Sequence, residues 1–218
     1  EIGLLQNGFN SMVEGLRERE RLRDLFGRHV GTDVAAEALD DDADVLGGET
    51  HTVAVLFVDI VASTRLAAEN HPEVVVDVLN RFFEVVVSTV DAHHGWINKF
   101  QGDAALAIFG APVALDDPPG CALAAARALA ERLRREVTDC RAGIGVSYGT
   151  VVAGNIGAEA RFEYTVIGDP VNEAARLTEL AKEIRGGVAA AGSALGRAGP
   201  DETRRWEVER TVTLRGRR

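Results

Sequence analysis

The sequence predicts a mixed α+β domain behind a helical N-terminal extension, and three observations carry that prediction. Short apolar runs rich in β-branched residues recur from residue 52 onward, each bounded by turn formers, which is strand patterning. Between them lie longer stretches, 73–92 and 122–135, with the length and composition of helices. Ahead of both, Leu5, Phe9, Met12 and Leu16 alternate spacings of four and three, the seam of a coiled coil.

The seam runs on into Arg17–Phe26, a highly charged helix with opposite charges interspersed; a solvated amphipathic helix packed on its own domain is the alternative reading. Asp40–Asp44 and Gly47-Gly48 read as a linker, which sets the domains at 1–46 and 47–218. Thr52–Val58 is a nearly unbroken apolar run, suited to a strand buried on both faces, and it ends at Asp59. Ser63 or Thr64 is placed to cap a following helix, whose free N–H groups and positive end attract phosphate. Trp96–Phe100 and Ala104–Phe109 form the arms of a hairpin turning at Gln101-Gly102-Asp103. Arg141–Tyr148 and Thr150–Asn155 read as a further strand pair turning near Gly149. Phe162–Ile167 leads to Gly168-Asp169-Pro170, where Pro170 opens a helix with Asp169 as its N-cap. Trp206–Glu209 and Thr211–Arg217 read as a last strand pair.

Asp59 ends its strand, and Asp103 joins it if the hairpin lies alongside. Mg²⁺ prefers oxygen ligands and is often shared with substrate phosphates, so a converging carboxylate pair suits it. Taken alone, Asp103 is equally a turn former. Asn172 and Arg176 are four apart on the third segment's helix and share a face, although an ordinary surface helix has the same pattern.

Together, Phe57-Val58-Asp59-Ile60, Lys99-Phe100-Gln101-Gly102-Asp103 and Ile167-Gly168-Asp169-Pro170-Val171-Asn172 running on to Arg176 resemble the class III nucleotidyl cyclases, the adenylyl and guanylyl cyclase catalytic domain. The resemblance covers about residues 50–215. It implies a ferredoxin-like βαββαβ core, dimerised head to tail so that active sites form across the interface. It implies further that Asp59 and Asp103, helped by the Ile60 carbonyl, hold two Mg²⁺ or Mn²⁺ ions, that Lys99 and Asp169 select the base, and that Asn172 and Arg176 serve the transition state. A basic residue against the triphosphate falls on Arg215, with Arg217 as the alternative.

Lysine only donates and ionised aspartate only accepts, which matches the N1 acceptor and 6-amino donor of adenine. The expected substrate is therefore ATP and the products are 3′,5′-cyclic AMP and pyrophosphate. A guanylate cyclase and a non-catalytic nucleotide-binding module are the competing readings; a diguanylate cyclase is disfavoured because its Gly-Gly-(Asp/Glu)-Glu-Phe signature is absent. Glu1, Gly3, Phe9-Asn10 and Met12 resemble the closing part of a HAMP signalling domain, which implies the cytoplasmic piece of a membrane-anchored parent. The chain itself has no apolar run near the roughly 20 residues a membrane span needs.

A formal charge of −10 argues against nonspecific nucleic-acid binding, which depends on clustered Lys and Arg. Cys121 and Cys140 lie far apart without metal-ligand spacing, which fits a reducing compartment, and Cys121 is expected in the core of an Ala-rich helix. His93-His94 falls at a helix end and reads as solvated.

Overall fold

The computed structural model describes residues 46–158 and 160–208, together with residues 12–15, 17, 20 and 21. The chain divides into two compact units, Glu1–Val45 and Leu46–Arg218. In the first, the described residues are helical, and Met12 is exposed. The other seam positions, Leu5, Phe9 and Leu16, and the Asp40–Asp44 run lie outside the described residues.

The second unit runs β1 (Gly47–Ile60), α1 (Ser63–Glu69), α2 (Pro72–Ala92), β2 (Trp96–Gln101), β3 (Ala104–Phe109), α3 (Pro118–Glu136), β4 (Ala142–Ala158), β5 (Arg161–Ile167), α4 (Asp169–Ala181), β6 (Val188–Ala190), α5 (Gly192–Leu195) and α6 (Pro200–Thr203). The sheet order is β2-β3-β1-β4-β5, antiparallel throughout, with β6 added parallel to β4. The first four strands with α2 and α3 are the βαββαβ core, and β5, α4 and β6 extend it.

Side chains alternate across a strand, so each strand divides its residues between two layers. Ala54, Leu56, Val58 and Ile60 of β1, Ala105, Ala107 and Phe109 of β3, and Ile144 and Val146 of β4 meet α2 and α3 in one buried core, with Phe82, Val86, Leu123 and Leu129 opposite them. Cys121 and Cys140 are half-buried at its margin, so Cys121 is less enclosed than expected.

The opposite face of β4 seats α4. Its residues Gly143, Gly145, Ser147 and Gly149 form a stripe of small side chains two apart. A Cβ at Gly143 would stand 2.4 Å from the Thr178 carbonyl oxygen, one at Gly145 2.2 Å from that of Ala174, and one at Gly149 2.9 Å from Pro170 Cγ. Ser147 fits by bonding instead: its hydroxyl donates to the buried Glu173 carboxylate at 2.5 Å.

This packing overturns one expectation. β4 is a single strand paired with β1 from Gly47↔Asn155 to Ile60↔Ala142, and no turn occurs at Gly149, which pairs with Val53. Gly149 lacks a side chain because the helix comes close, not because the chain reverses. Gly47 and Gly48, expected in the linker, open β1. Neither predicted N-cap forms. Ser63 is the first residue of α1 behind a left-handed Ala62 (φ 56) without a side-chain cap bond. Asp169 is the first residue of α4, with Gly168 at the N-cap position, and a carboxylate in the first turn favours the helix dipole. Trp206–Val208 carry no strand structure, and 209–218 lie outside the described residues.

Candidate active site

Asp59 belongs to the alternate set of β1, so it faces α4 rather than the α2/α3 core. It is the last residue but one of β1, in register with Ala104 of β3 on one side and Gly143 of β4 on the other. Asp103 immediately precedes Ala104 in the two-residue turn of the β2–β3 hairpin. Gly102, at the first central position with φ +68°, supplies the backbone that a type II′ turn needs. The hairpin therefore delivers the second carboxylate beside the first. Ile60 ends β1 with its side chain anchored in the core.

Lys182, just past the end of α4, completes this corner. Its ammonium lies 2.6 Å from Asp59 Oδ2 and 2.7 Å from Glu179 Oε1. Burial raises the Asp59 carboxyl above the usual carboxylate range; the hydrogen bond from Lys182 opposes this and the Asp103 charge adds to it. For Lys182, burial works against the charged form, but its hydrogen bonds to the Asp59 and Glu179 carboxylates outweigh it and hold the ammonium above its ordinary value. An isolated ion pair would pull its carboxylate down. The upward direction at Asp59 reflects burial beside a second carboxylate. A partly buried pair of carboxylates already attracting a cation fits a hard, oxygen-seeking divalent ion. Among the described residues no three His, Cys, Asp or Glu side chains gather. The side-chain share of such a site is thus two carboxylates, with carbonyl, water and phosphate oxygens to fill the shell.

Lys99 is placed by a bulge. β2 pairs Ile97 with Ala107 and Lys99 with Leu106, leaving Asn98 as the extra residue. The Asn98 amide donates to the Tyr164 carbonyl oxygen and accepts from the Thr165 hydroxyl, each at 3.0 Å, tying β2 to β5 although they stand at opposite ends of the sheet order. The Lys99 ammonium consequently sits 3.2 Å from Glu163 of β5. Asp169 follows two residues after that strand ends, exposed at the start of α4.

Asn172 is exposed and Arg176 half-buried, one turn apart on α4. With 1.5 Å of rise per residue, Asn172 stands about 15 Å from Lys182 along the helix, and Arg176 about 9 Å. The structure therefore brings Asp59 and Asp103 together at one end of α4 and places Asp169 and Asn172 at the other. Arg215 and Arg217 lie outside the described residues. Sequence reading missed Lys182, Glu163, Asn98 and the Ser147–Glu173 bond. Only the last left a signal, in the period-two run of Gly143, Gly145, Ser147 and Gly149.

Residues 47–218 match the family described as the adenylate and guanylate cyclase catalytic domain. The uncharacterized protein Rv1318c of Mycobacterium tuberculosis is 59% identical over 216 residues, which are 99% of this chain and 40% of that protein. The chain thus spans well under half the length of such relatives. Of solved structures, the guanylyl cyclase Cya2 is 32% identical with a TM-score of 0.66, over 78% of this chain and 89% of that one. A bacterial light-regulated adenylyl cyclase, 22% identical, shares the fold at a TM-score of 0.74, over 88% of this chain and 57% of that one.

Proposed function

Since the chain belongs to the adenylate and guanylate cyclase catalytic domain family, we propose that it acts on ATP, as an adenylate cyclase whose active sites form between the two chains of a homodimer. The ribose 3′-oxygen attacks the α-phosphorus, a new O–P bond closes the ring, and the bond to the β-phosphate breaks to release pyrophosphate. The observation that carries the reading is the spacing along α4. Asn172 stands about 15 Å along the helix from Lys182, the residue that bonds Asp59, so Asn172 and the carboxylate pair sit toward opposite ends of α4, an arrangement that supports a site completed by a second chain.

Asp59, Asp103 and the Ile60 carbonyl hold two Mg²⁺ or Mn²⁺ ions, which supply activation of the 3′-hydroxyl and charge neutralisation on the phosphates. Asn172 orients the ribose. Arg176, a permanently charged planar fork, meets the charge developing around the α-phosphate. Lys99 donates to adenine N1 and Asp169 accepts from the 6-amino group; guanine would oppose buried polar groups, at about 1–3 kcal/mol each. Arg215 is assigned to the triphosphate.

Apolar side chains support the dimer: Phe100, Val152, Phe162 and Ile167 are all at least 40% exposed on β2, β4 and β5. Exposed apolar patches on a folded domain mark interaction surfaces. The likeness to the guanylyl cyclase Cya2 favours the second reading, GTP as substrate. Within the parent protein, the domain is placed on the cytoplasmic side of a membrane, as a signalling output driven through residues 1–46.

The test measures cyclic AMP and cyclic GMP from ATP and GTP with Mn²⁺ or Mg²⁺, over protein concentrations that span dimerisation, with Asp59→Ala as control. Cyclic AMP rising faster than linearly with protein is expected. Faster turnover of GTP would overturn the roles of Lys99 and Asp169, and silence in a confirmed dimer would favour a regulatory module.

A further inference from the structure

Lys182 is held at two points. Its backbone N–H donates to the Thr178 and Glu179 carbonyl oxygens at 3.3 Å, and its stem lies against Gly143, where a Cβ would come within 2.7 Å of Lys182 Cγ. The missing side chain at Gly143 is what lets the last turn of α4 descend to the end of β1. From that fixed base a flexible four-carbon stem reaches Asp59 at 2.6 Å, and the two side chains are each only 19% exposed. The other partner differs: Glu179, 2.7 Å from the same ammonium, is 66% exposed. One cation is thus shared between an enclosed carboxylate and an open one.

We propose that Lys182 is the resident counter-cation of the Asp59/Asp103 pair, and that a divalent ion binds by displacing its ammonium onto Glu179, so that Lys182 sets the metal affinity of the site. The proposal rests on the reading of Asp59 and Asp103 as metal ligands. A divalent ion coordinated by Asp59 would stand within a few ångströms of the ammonium, and like charges repel strongly in a partly desolvated corner. Coordination of Mg²⁺ or Mn²⁺ by carboxylate oxygen runs near 2.0–2.2 Å, closer than the present hydrogen bond, so the ion takes the position and the lysine yields. The displaced ammonium does not have to enter bulk water. Glu179 already accepts from it, and the last carbonyls of α4, at the negative end of the helix, favour a cation there. Without the ion, Lys182 relieves the repulsion of two neighbouring carboxylates and keeps α4 docked on β4; with it, the same lysine is redundant at Asp59. Enclosure makes the resident pair stronger than an exposed ion pair, which sets the scale of the competition.

The test is Mn²⁺ binding to the whole chain without nucleotide, read from the electron paramagnetic resonance signal of free Mn²⁺. It compares the wild type with Lys182→Gln, Lys182→Met, Glu179→Gln and Asp59→Asn. Removing the competing charge in either Lys182 variant is expected to tighten binding about tenfold. Glu179→Gln removes the acceptor for the displaced ammonium and is expected to weaken binding about threefold. A merely structural role for the Lys182 bridge would move both classes of variant the same way, by loosening α4, and that result overturns the proposal. So does unchanged or weaker binding in both Lys182 variants, while wild type still binds better than Asp59→Asn. If wild type binds Mn²⁺ no better than Asp59→Asn, the reading of Asp59 as a metal ligand fails, and the displacement mechanism fails with it.

Discussion

Gly145→Ala tests whether the small-residue stripe of β4 seats α4. The new Cβ would lie 2.2 Å from the Ala174 carbonyl oxygen, 2.5 Å from the Thr178 nitrogen and 2.6 Å from its hydroxyl. Two of these are helix backbone and cannot rotate away, so α4 has to retreat. Ordinary contact begins near 3.4 Å, which puts the retreat at about 1 Å against the closest atom. Overpacking of this kind costs up to about 3 kcal/mol. Replacing a strand glycine returns roughly 0.5–1 kcal/mol of backbone entropy, leaving a net loss of about 2 kcal/mol. For a domain of this size the midpoint of thermal unfolding should fall by about 4–8 °C. Because Asn172 and Arg176 ride on α4, a displacement of that size should also slow cyclisation by up to about 100-fold at saturating nucleotide. Thermal unfolding and a cyclic nucleotide assay on the same preparation measure both. Gly192→Ala is the control, since nothing lies within 4 Å of its added Cβ. A Gly145→Ala protein that melts within about 1 °C of wild type and keeps its activity refutes the reasoning.

Asn172→Ala and Arg176→Ala should each lower cyclisation by about 100-fold or more while thermal unfolding stays within about 1 °C of wild type, because both side chains point away from the buried layer; a matching loss of stability would make their role structural. Glu202 is clamped by Arg127 through bonds of 2.7 and 2.6 Å and by the Trp206 indole N–H at 2.9 Å. Burial pushes its carboxyl up, these bonds outweigh the burial, and the group lies below its ordinary value. A depressed carboxylate stabilises the fold at neutral pH and loses that contribution as pH falls through its folded value. The stability gap between wild type and Glu202→Gln should accordingly be full at pH 7 and narrow as pH falls below the ordinary carboxylate range; a gap that does not narrow on acidification assigns it to packing. Deleting residues 1–45 should change cyclase activity at fixed protein concentration, and an unchanged specific activity would remove the coupling role from that segment.

The carboxylate pair was legible because both members sit at positions that local chemistry marks. Asp59 breaks the apolar run Val53–Val58 near the end of its strand, and Asp103 stands in a two-residue turn whose flanking runs announce a hairpin. Cap assignments failed by a single residue at Ser63 and at Asp169, since an N-cap depends on one residue's backbone angles and side-chain preference alone does not set them. Gly149 failed for a deeper reason. A turn and a close helix approach both demand glycine, and one glycine cannot distinguish them. Four small residues two apart can, because a turn needs no such period.

Lys182 had no comparable marker. It follows a polar, charge-bearing helix where lysine is ordinary, and its partner Asp59 is more than a hundred residues earlier. Two choices of face bring them together. The alternation of β1 puts Val58 and Ile60 in the α2/α3 core and turns Asp59 to the other side. The stripe on β4 then draws α4 onto that side so closely that its last turn ends over Asp59. Shifting β1 by one residue would bury the carboxylate among Leu123 and Phe82, where an ionised group could not be tolerated. The register that fills the hydrophobic core is therefore the same register that turns the acidic corner toward α4, and any sequence that keeps the core pattern of β1 and the glycines of β4 will present the side chain at position 59 to whatever residue ends α4.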